Sequence, residues 1–187
     1  MTSLITPPNK TVIVPLVQES LDFSTQVFDV LSKGAMYSHD VGLQGEKRRL
    51  RYLGREAIML GEKLQHGARD IYACMLWPAK AKHSDVNGLT TMENTMIWII
   101  NKLWQIHDEY HRIANEMVVG RNRTLSICVY NYCNCIMKEI AALQRNHEGY
   151  SRASYDWHHV SRHQETEFNI HDHFEDKEEG QGYSDHK

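Results

Sequence analysis

An all-α fold, an antiparallel four-helix bundle, is what the sequence predicts, and three observations carry it. Four segments place apolar residues at three- and four-residue spacing. Gly34, Pro78 and Gly120 stand between them as helix stops. The turns are short, which favours antiparallel neighbours.

Taken in order, residues 1–15 read as an N-terminal arm. Pro7, Pro8 and Pro15 flank an extended apolar run, Thr11–Val14 (TVIV). A first helix follows over about Leu16–Lys33, with Leu16, Phe23, Val27 and Val30 on one face and Gly34 as its stop. The linker AMYSHDVGLQ leads to a second helix over about Gly45–Trp77. At 100° per residue, Leu50, Leu53, Ala57, Leu60, Leu64, Ala68, Ile71 and Met75 make one apolar stripe along it. Gly54, Gly61 and Ala68 recur beside that stripe and let a neighbouring helix come close, at about 1 kcal/mol of helix propensity per glycine. The whole helix is roughly 50 Å long at 1.5 Å per residue.

Pro78 and the polar stretch KAKHSDVNG break the pattern. Thr90–Glu93 (TTME) then reads as a capping box opening a third helix. Met96, Ile99, Leu103, Ile106, Tyr110, Ile113 and Met117 form its seam, with Ile97, Ile100, Trp104, His107, His111 and Ala114 beside it. Gly120 ends it. The fourth helix runs over about Asn122–Asn146, with Leu125, Val129, Tyr132, Ile136, Ile140 and Leu143 turned inward. The helical body is thus residues 16–148. Residues 149–187 lose the helical period, and only Phe168, Ile170 and Phe174 alternate in a strand-like way.

The 187 residues suit one domain with tails, and 41% hydrophobic content is enough for a core. The formal net charge of −3 hides an asymmetry. Residues 149–187 hold four of the 21 Lys and Arg, nine of the 24 Asp and Glu, and six of the 12 His. The body before them is slightly basic and the tail is acidic and His-rich. The start, MTSLITPPNK, lacks the basic-then-apolar plan of a signal peptide, and the longest apolar run, Met96–Ile100, is far short of a bilayer span. Cys74, Cys128, Cys133 and Cys135 form no CxxC pair and read as reduced thiols. The expected setting is the cytoplasm or a virion.

A di-iron carboxylate bundle needs Glu on two helices and Glu-x-x-His on the other two. Only Asp108-x-x-His111 approaches that pattern. His107 and His111 stand at i,i+4 and can chelate one ion, which keeps a ferritin-like or hemerythrin-like metal bundle as the alternative reading. In the tail, His158, His159, His163, His171 and His173 offer unscaffolded metal ligands. No GxSxG, P-loop or GxGxxG occurs, so no enzyme and no cofactor is expected.

The remaining feature is basic. The stretch GEKRRLRYLGREA holds Lys47, Arg48, Arg49, Arg51 and Arg55 within nine positions, with Tyr52 among them. Arginine outnumbers lysine four to one there, and guanidinium forks match phosphate oxygens bidentately. Arg69 extends the row, and Arg121 and Arg123 add charge at the start of the fourth helix. The plainer explanation is a solvated helix face. The chemical one is sequence-independent contact with a nucleic-acid backbone.

A long one-sided arginine helix, terminal arms suited to exchange between subunits and no catalytic set resemble, in general plan, the helical coat proteins of filamentous DNA viruses of archaea. Those dimerise and wrap the duplex in arginine-bearing helices. The resemblance implies a non-enzymatic assembly protein that packages nucleic acid, coat- or nucleocapsid-like, with self-association through its arms. A protein-interaction adaptor that meets an acidic partner is the third reading.

Overall fold

The computed structural model describes residues 9–81 and 89–146. They form four helices: α1 (Lys10–Asp40), α2 (Gln44–Tyr72), α3 (Met92–Val119) and α4 (Arg123–Asn146). The all-α expectation holds, and no strand occurs among the described residues. The tail 149–187, with its histidines and its alternating Phe168, Ile170 and Phe174, lies outside the described residues, as do residues 1–8.

The helices pack α1 on α2, α3 on α4, α1 on α3 and α2 on α4, leaving α1/α4 and α2/α3 as diagonals. Their directions follow from paired contacts. The amide of Asn9 donates to the Gly120 carbonyl at 3.1 Å, which sets the start of α1 against the end of α3. Lys10 Nζ reaches the Tyr72 carbonyl, and Asn122 reaches the Tyr72 hydroxyl. Every adjacent pair is therefore antiparallel, and the diagonal helices α2 and α3 are parallel. That corrects the expectation of short turns throughout. α2 ends and α3 begins at opposite ends of the bundle, so their connection is a crossover and not a tight turn.

The described part of that crossover climbs α1. Gln18 Nε2 donates to the Trp77 carbonyl, the Ala79 amide donates to Asp22 Oδ1 at 2.7 Å, and Thr25 Oγ1 donates to the Ala79 carbonyl. From the other side, Gln65 Nε2 holds the Leu76 carbonyl. These bonds explain why α2 stops at Tyr72 and does not continue to Trp77. Ala73 takes a left-handed φ of 53°, its amide returns to the Arg69 carbonyl, and side chains of α1 and α2 take over the next backbone groups. Met75, expected on the apolar stripe, lies beyond this stop and is exposed, and Ile71, within the last turn of α2, is exposed as well.

The boundaries of α1 differ from expectation at both ends. Residues 10–15 are helical, not an extended arm. Asn9 caps the helix by accepting the Thr11 amide, and Ile13, Leu16 and Val17 are buried. Pro15 leaves the Thr11 carbonyl without its helical donor, a loss offset by burial of those three side chains, each contributing about 1.5–3 kcal/mol. Gly34 is no stop. A Cβ there would lie 2.7 Å from the Trp98 ring of α3, so this glycine serves close packing. The stop is Gly42, at φ 85°. Gly54 and Gly61 do serve the close approach expected of them, against Phe28 and Leu31 and against Ser24 and Leu21 of α1.

α3 opens one residue later than expected: Thr91 accepts the Asn94 amide at 3.2 Å. The seam from Met96 to Met117 is buried as expected, as are the six inward residues of α4. Two tyrosines occupy the centre. Tyr110 of α3 meets Tyr132 of α4 edge to face, with centroids 5.1 Å apart. The Tyr110 hydroxyl bonds Ser24 Oγ of α1 at 2.9 Å, and Tyr132 donates to the Leu53 carbonyl of α2 at 3.0 Å. Burial pushes both phenols well above their ordinary pKa of 10.

Asn122 precedes α4 and does two jobs. Its Oδ1 accepts the Leu125 amide at 3.0 Å, and its Nδ2 donates to the Tyr72 hydroxyl at 3.0 Å. Asn122→Ala removes both, and the expected loss is about 1.5–3 kcal/mol, or about 4–8 °C in Tm. Asn122→Asp, which keeps the acceptor, is expected to lose less in the same thermal melt.

The tyrosines set an alkaline limit. Above pH 10 the unfolded chain releases phenol protons that the folded chain keeps, so stability falls as pH rises through 10. Each of the two adds a slope of about 1.4 kcal/mol per pH unit. Urea midpoints measured from about pH 9 to about pH 11 are expected to fall, and less steeply in Tyr110→Phe and Tyr132→Phe.

Candidate nucleic-acid interface

The orientation of α2 is set from inside. Leu50, Leu53, Ala57, Leu60 and Leu64 are buried, so residues about half a turn away face water. Arg48, Arg51 and Arg55 are exposed on that side, spanning about 10 Å of helix. None of the three has an ion-pair or hydrogen-bond partner among the described residues. Tyr52 projects between them and is 51% exposed. The Glu56 carboxylate, more than the slight burial of the ring, pushes its phenol above the ordinary value. Met59 follows on the next turns and is also exposed.

The other expected residues are distributed differently. Arg49 turns to the α4 flank, where its Nη1 lies 2.9 Å from Glu139 Oε2 and both groups are partly buried. Its charge is spent on holding α2 to α4. Lys47 is half-buried on the α1 flank, seven residues before Gly54. Arg69 lies about 21 Å further along α2 than Arg55. Exposed Glu62 lies between them, and Arg69 Nε pairs with Asp70 at 3.2 Å.

Arg121 and Arg123 are exposed beside the Tyr72 end of α2, through the Asn122–Tyr72 bond. They neighbour the Arg69 end and are separated from Arg48, Arg51 and Arg55 by the length of the bundle. The expected continuous row is thus a compact cluster at one end of α2 and a separate, partly neutralised group at the other. Periodicity alone marks Arg49 as off the row, because it falls about 100° from Arg48. Its partner Glu139 is ninety residues away in sequence and no local signal finds it.

The alternative site is buried. His107 is fully buried and His111 nearly so, with rings stacked at 5.7 Å. His107 Nδ1 faces Asp108 Oδ1 at 3.2 Å. Asn115 Nδ2 donates to His111 Nδ1, and Tyr130 donates to Asn115 Oδ1 at 2.6 Å, which ties the pair into the α3–α4 groove. No group of three or more His, Cys, Asp or Glu stands positioned for a metal ion among the described residues. The buried polar residues at the middle of α1 are Ser20 and Ser24.

No helix among the described residues is long and apolar enough to cross a membrane. No family model, curated protein or solved structure matches the chain.

The division of the arginines has a measurable consequence. Arg48→Gln, Arg51→Gln and Arg55→Gln are each expected to lower the slope of log affinity for a polyanion against log salt by about 0.7–0.9. Arg49→Gln is expected to leave that slope nearly unchanged and to lower Tm instead, by breaking the Glu139 pair. Salt titrations and thermal melts on the same four variants read both effects.

Proposed function

We propose that this chain is a non-enzymatic nucleic-acid-binding protein of coat or nucleocapsid type, which holds phosphates on the outer face of α2. One observation carries the reading. Arg49, Arg69 and Arg112 are each tied to a carboxylate, whereas Arg48, Arg51 and Arg55 share one exposed face without such a partner. Three guanidinium groups within about 10 Å form a local field that favours repeated anions over a single one. No base-reading motif occurs along that stretch, so the contacts we propose are to the backbone and independent of sequence. Self-association is part of the same proposal. Residues 10–15 are taken up in the chain's own bundle, where Ile13 packs on Gly120, so exchange between subunits is left to the segments outside the helices.

Fluorescence anisotropy with a labelled oligonucleotide tests the binding. Three phosphate contacts give a log–log slope of about −2 to −3, a loss of about 20- to 40-fold in affinity between about 50 and 200 mM salt. Protein purified without nuclease is expected to carry nucleic-acid absorbance and to sediment as an assembly. No binding at low salt, with clean protein absorbance, sinks the reading. Tight binding to an acidic polypeptide instead of nucleic acid would replace it with the adaptor reading.

A further inference from the structure

We propose that the occupant of this face is single-stranded nucleic acid, with an unpaired base stacked on Tyr52 between backbone phosphates held by Arg48 and Arg55. The inference rests on the nucleic-acid reading above and narrows it to one class of strand.

Three observations point there. The first is placement. Tyr52 stands one turn after Arg48 and one turn before Arg55, so its ring rises from the middle of the arginine cluster. Second, the ring is the exposed one. Among the described tyrosines, Tyr72, Tyr110 and Tyr132 are buried and Tyr37 and Tyr130 half-buried, while Tyr52 alone faces water. Its hydroxyl has no hydrogen-bond partner among the described residues. Third, Met59 continues the apolar surface two turns along, with Arg55 between. Charge and exposed apolar surface alternate along one face.

A duplex makes poor use of that arrangement. Its bases are stacked on one another and show only their edges in the grooves, so an aromatic ring among the arginines adds nothing to phosphate contact. The cluster is also short. About 10 Å of helix meets some three phosphates of a duplex strand at 3.4 Å per step, which is a small electrostatic footprint. An unpaired base presents a free π-face, and stacking on an aromatic side chain adds affinity whatever the base. A phenol is protonated near neutral pH in any case, so the ring itself carries no charge against the neighbouring phosphates.

The test uses the full chain with three probes: labelled oligothymidine, a duplex of the same length, and inorganic polyphosphate. The variants are Tyr52→Ala, Tyr52→Phe and the triple Arg48→Gln, Arg51→Gln, Arg55→Gln. Because all four side chains are exposed, unchanged thermal melts are expected and verify folding. The single strand is expected to bind about tenfold more tightly than the duplex. Tyr52→Ala is expected to lose about tenfold on the single strand and nothing on polyphosphate, while Tyr52→Phe keeps the affinity. Equal binding of strand and duplex, with Tyr52→Ala neutral and the triple variant inert, overturns this inference and leaves the phosphate reading standing. Absence of binding to either nucleic acid removes both.

Discussion

The hydroxyls of Tyr110 and Tyr132 tie together what the chain builds as two helical hairpins. Each ring belongs to the α3–α4 hairpin, and each hydroxyl reaches across to the other one, to Ser24 of α1 and to the Leu53 carbonyl of α2. Apolar packing alone would tolerate a slip of one hairpin along the other. Two buried hydroxyl bonds, at fixed heights on four helices, do not, because a displaced phenol would be left buried and unsatisfied. The core also fixes the outside of the molecule. With Leu50, Leu53, Ala57, Leu60 and Leu64 buried, the helical repeat turns Arg48, Arg51 and Arg55 towards solvent. The candidate binding face is therefore set by the core and not by the surface around it.

That core also speaks about chemistry. A bundle with one long crossover has the connectivity used by proteins that hold two metal ions between carboxylates. Here the equivalent interior is filled by hydroxyls and rings. Among the described residues Glu46 is the single buried carboxylate, and it sits in the first turn of α2, far from the centre. His107 and His111 are hydrogen-bonded to Asp108 and Asn115 within α3. Among the described residues, hydroxyls and rings occupy the centre, and Arg48, Arg51 and Arg55 lie at the surface.

Much of this was readable in the sequence because it is periodic. The inward residues of α3 and α4, the small residues at Gly54 and Gly61 and the outward arginines all follow from angle around a helix. What was not readable depended on residues far apart in the chain. Gly34 looks like a stop until Trp98 is placed against it. Pro15 looks like the end of an arm until Ile13 and Val17 are seen buried. The apolar stripe of α2 runs on to Met75 in sequence, but Gln18, Asp22 and Gln65 draw the backbone away after Tyr72. Arg49 looks equivalent to Arg48 until Glu139 arrives from α4. In each case a tertiary contact outweighs a local preference, which is the ordinary limit of propensity.

The Asn9–Gly120 bond carries a consequence for how the chain comes into being. α1 and α2 are joined by a tight turn and are synthesised first, so they can pair early through local contacts. Yet the first turn of α1 is closed by a residue at the far end of α3, and Ser24 waits for Tyr110. While the ribosome is still making α3, the emerging α1–α2 hairpin shows the inner faces of both helices, with Leu16, Val27, Leu53 and Leu60 uncovered. Completion of α3 covers α1, whereas the inner face of α2 waits for α4, on which it packs. A helper that shields that hairpin during synthesis would act on an interval the finished fold no longer shows.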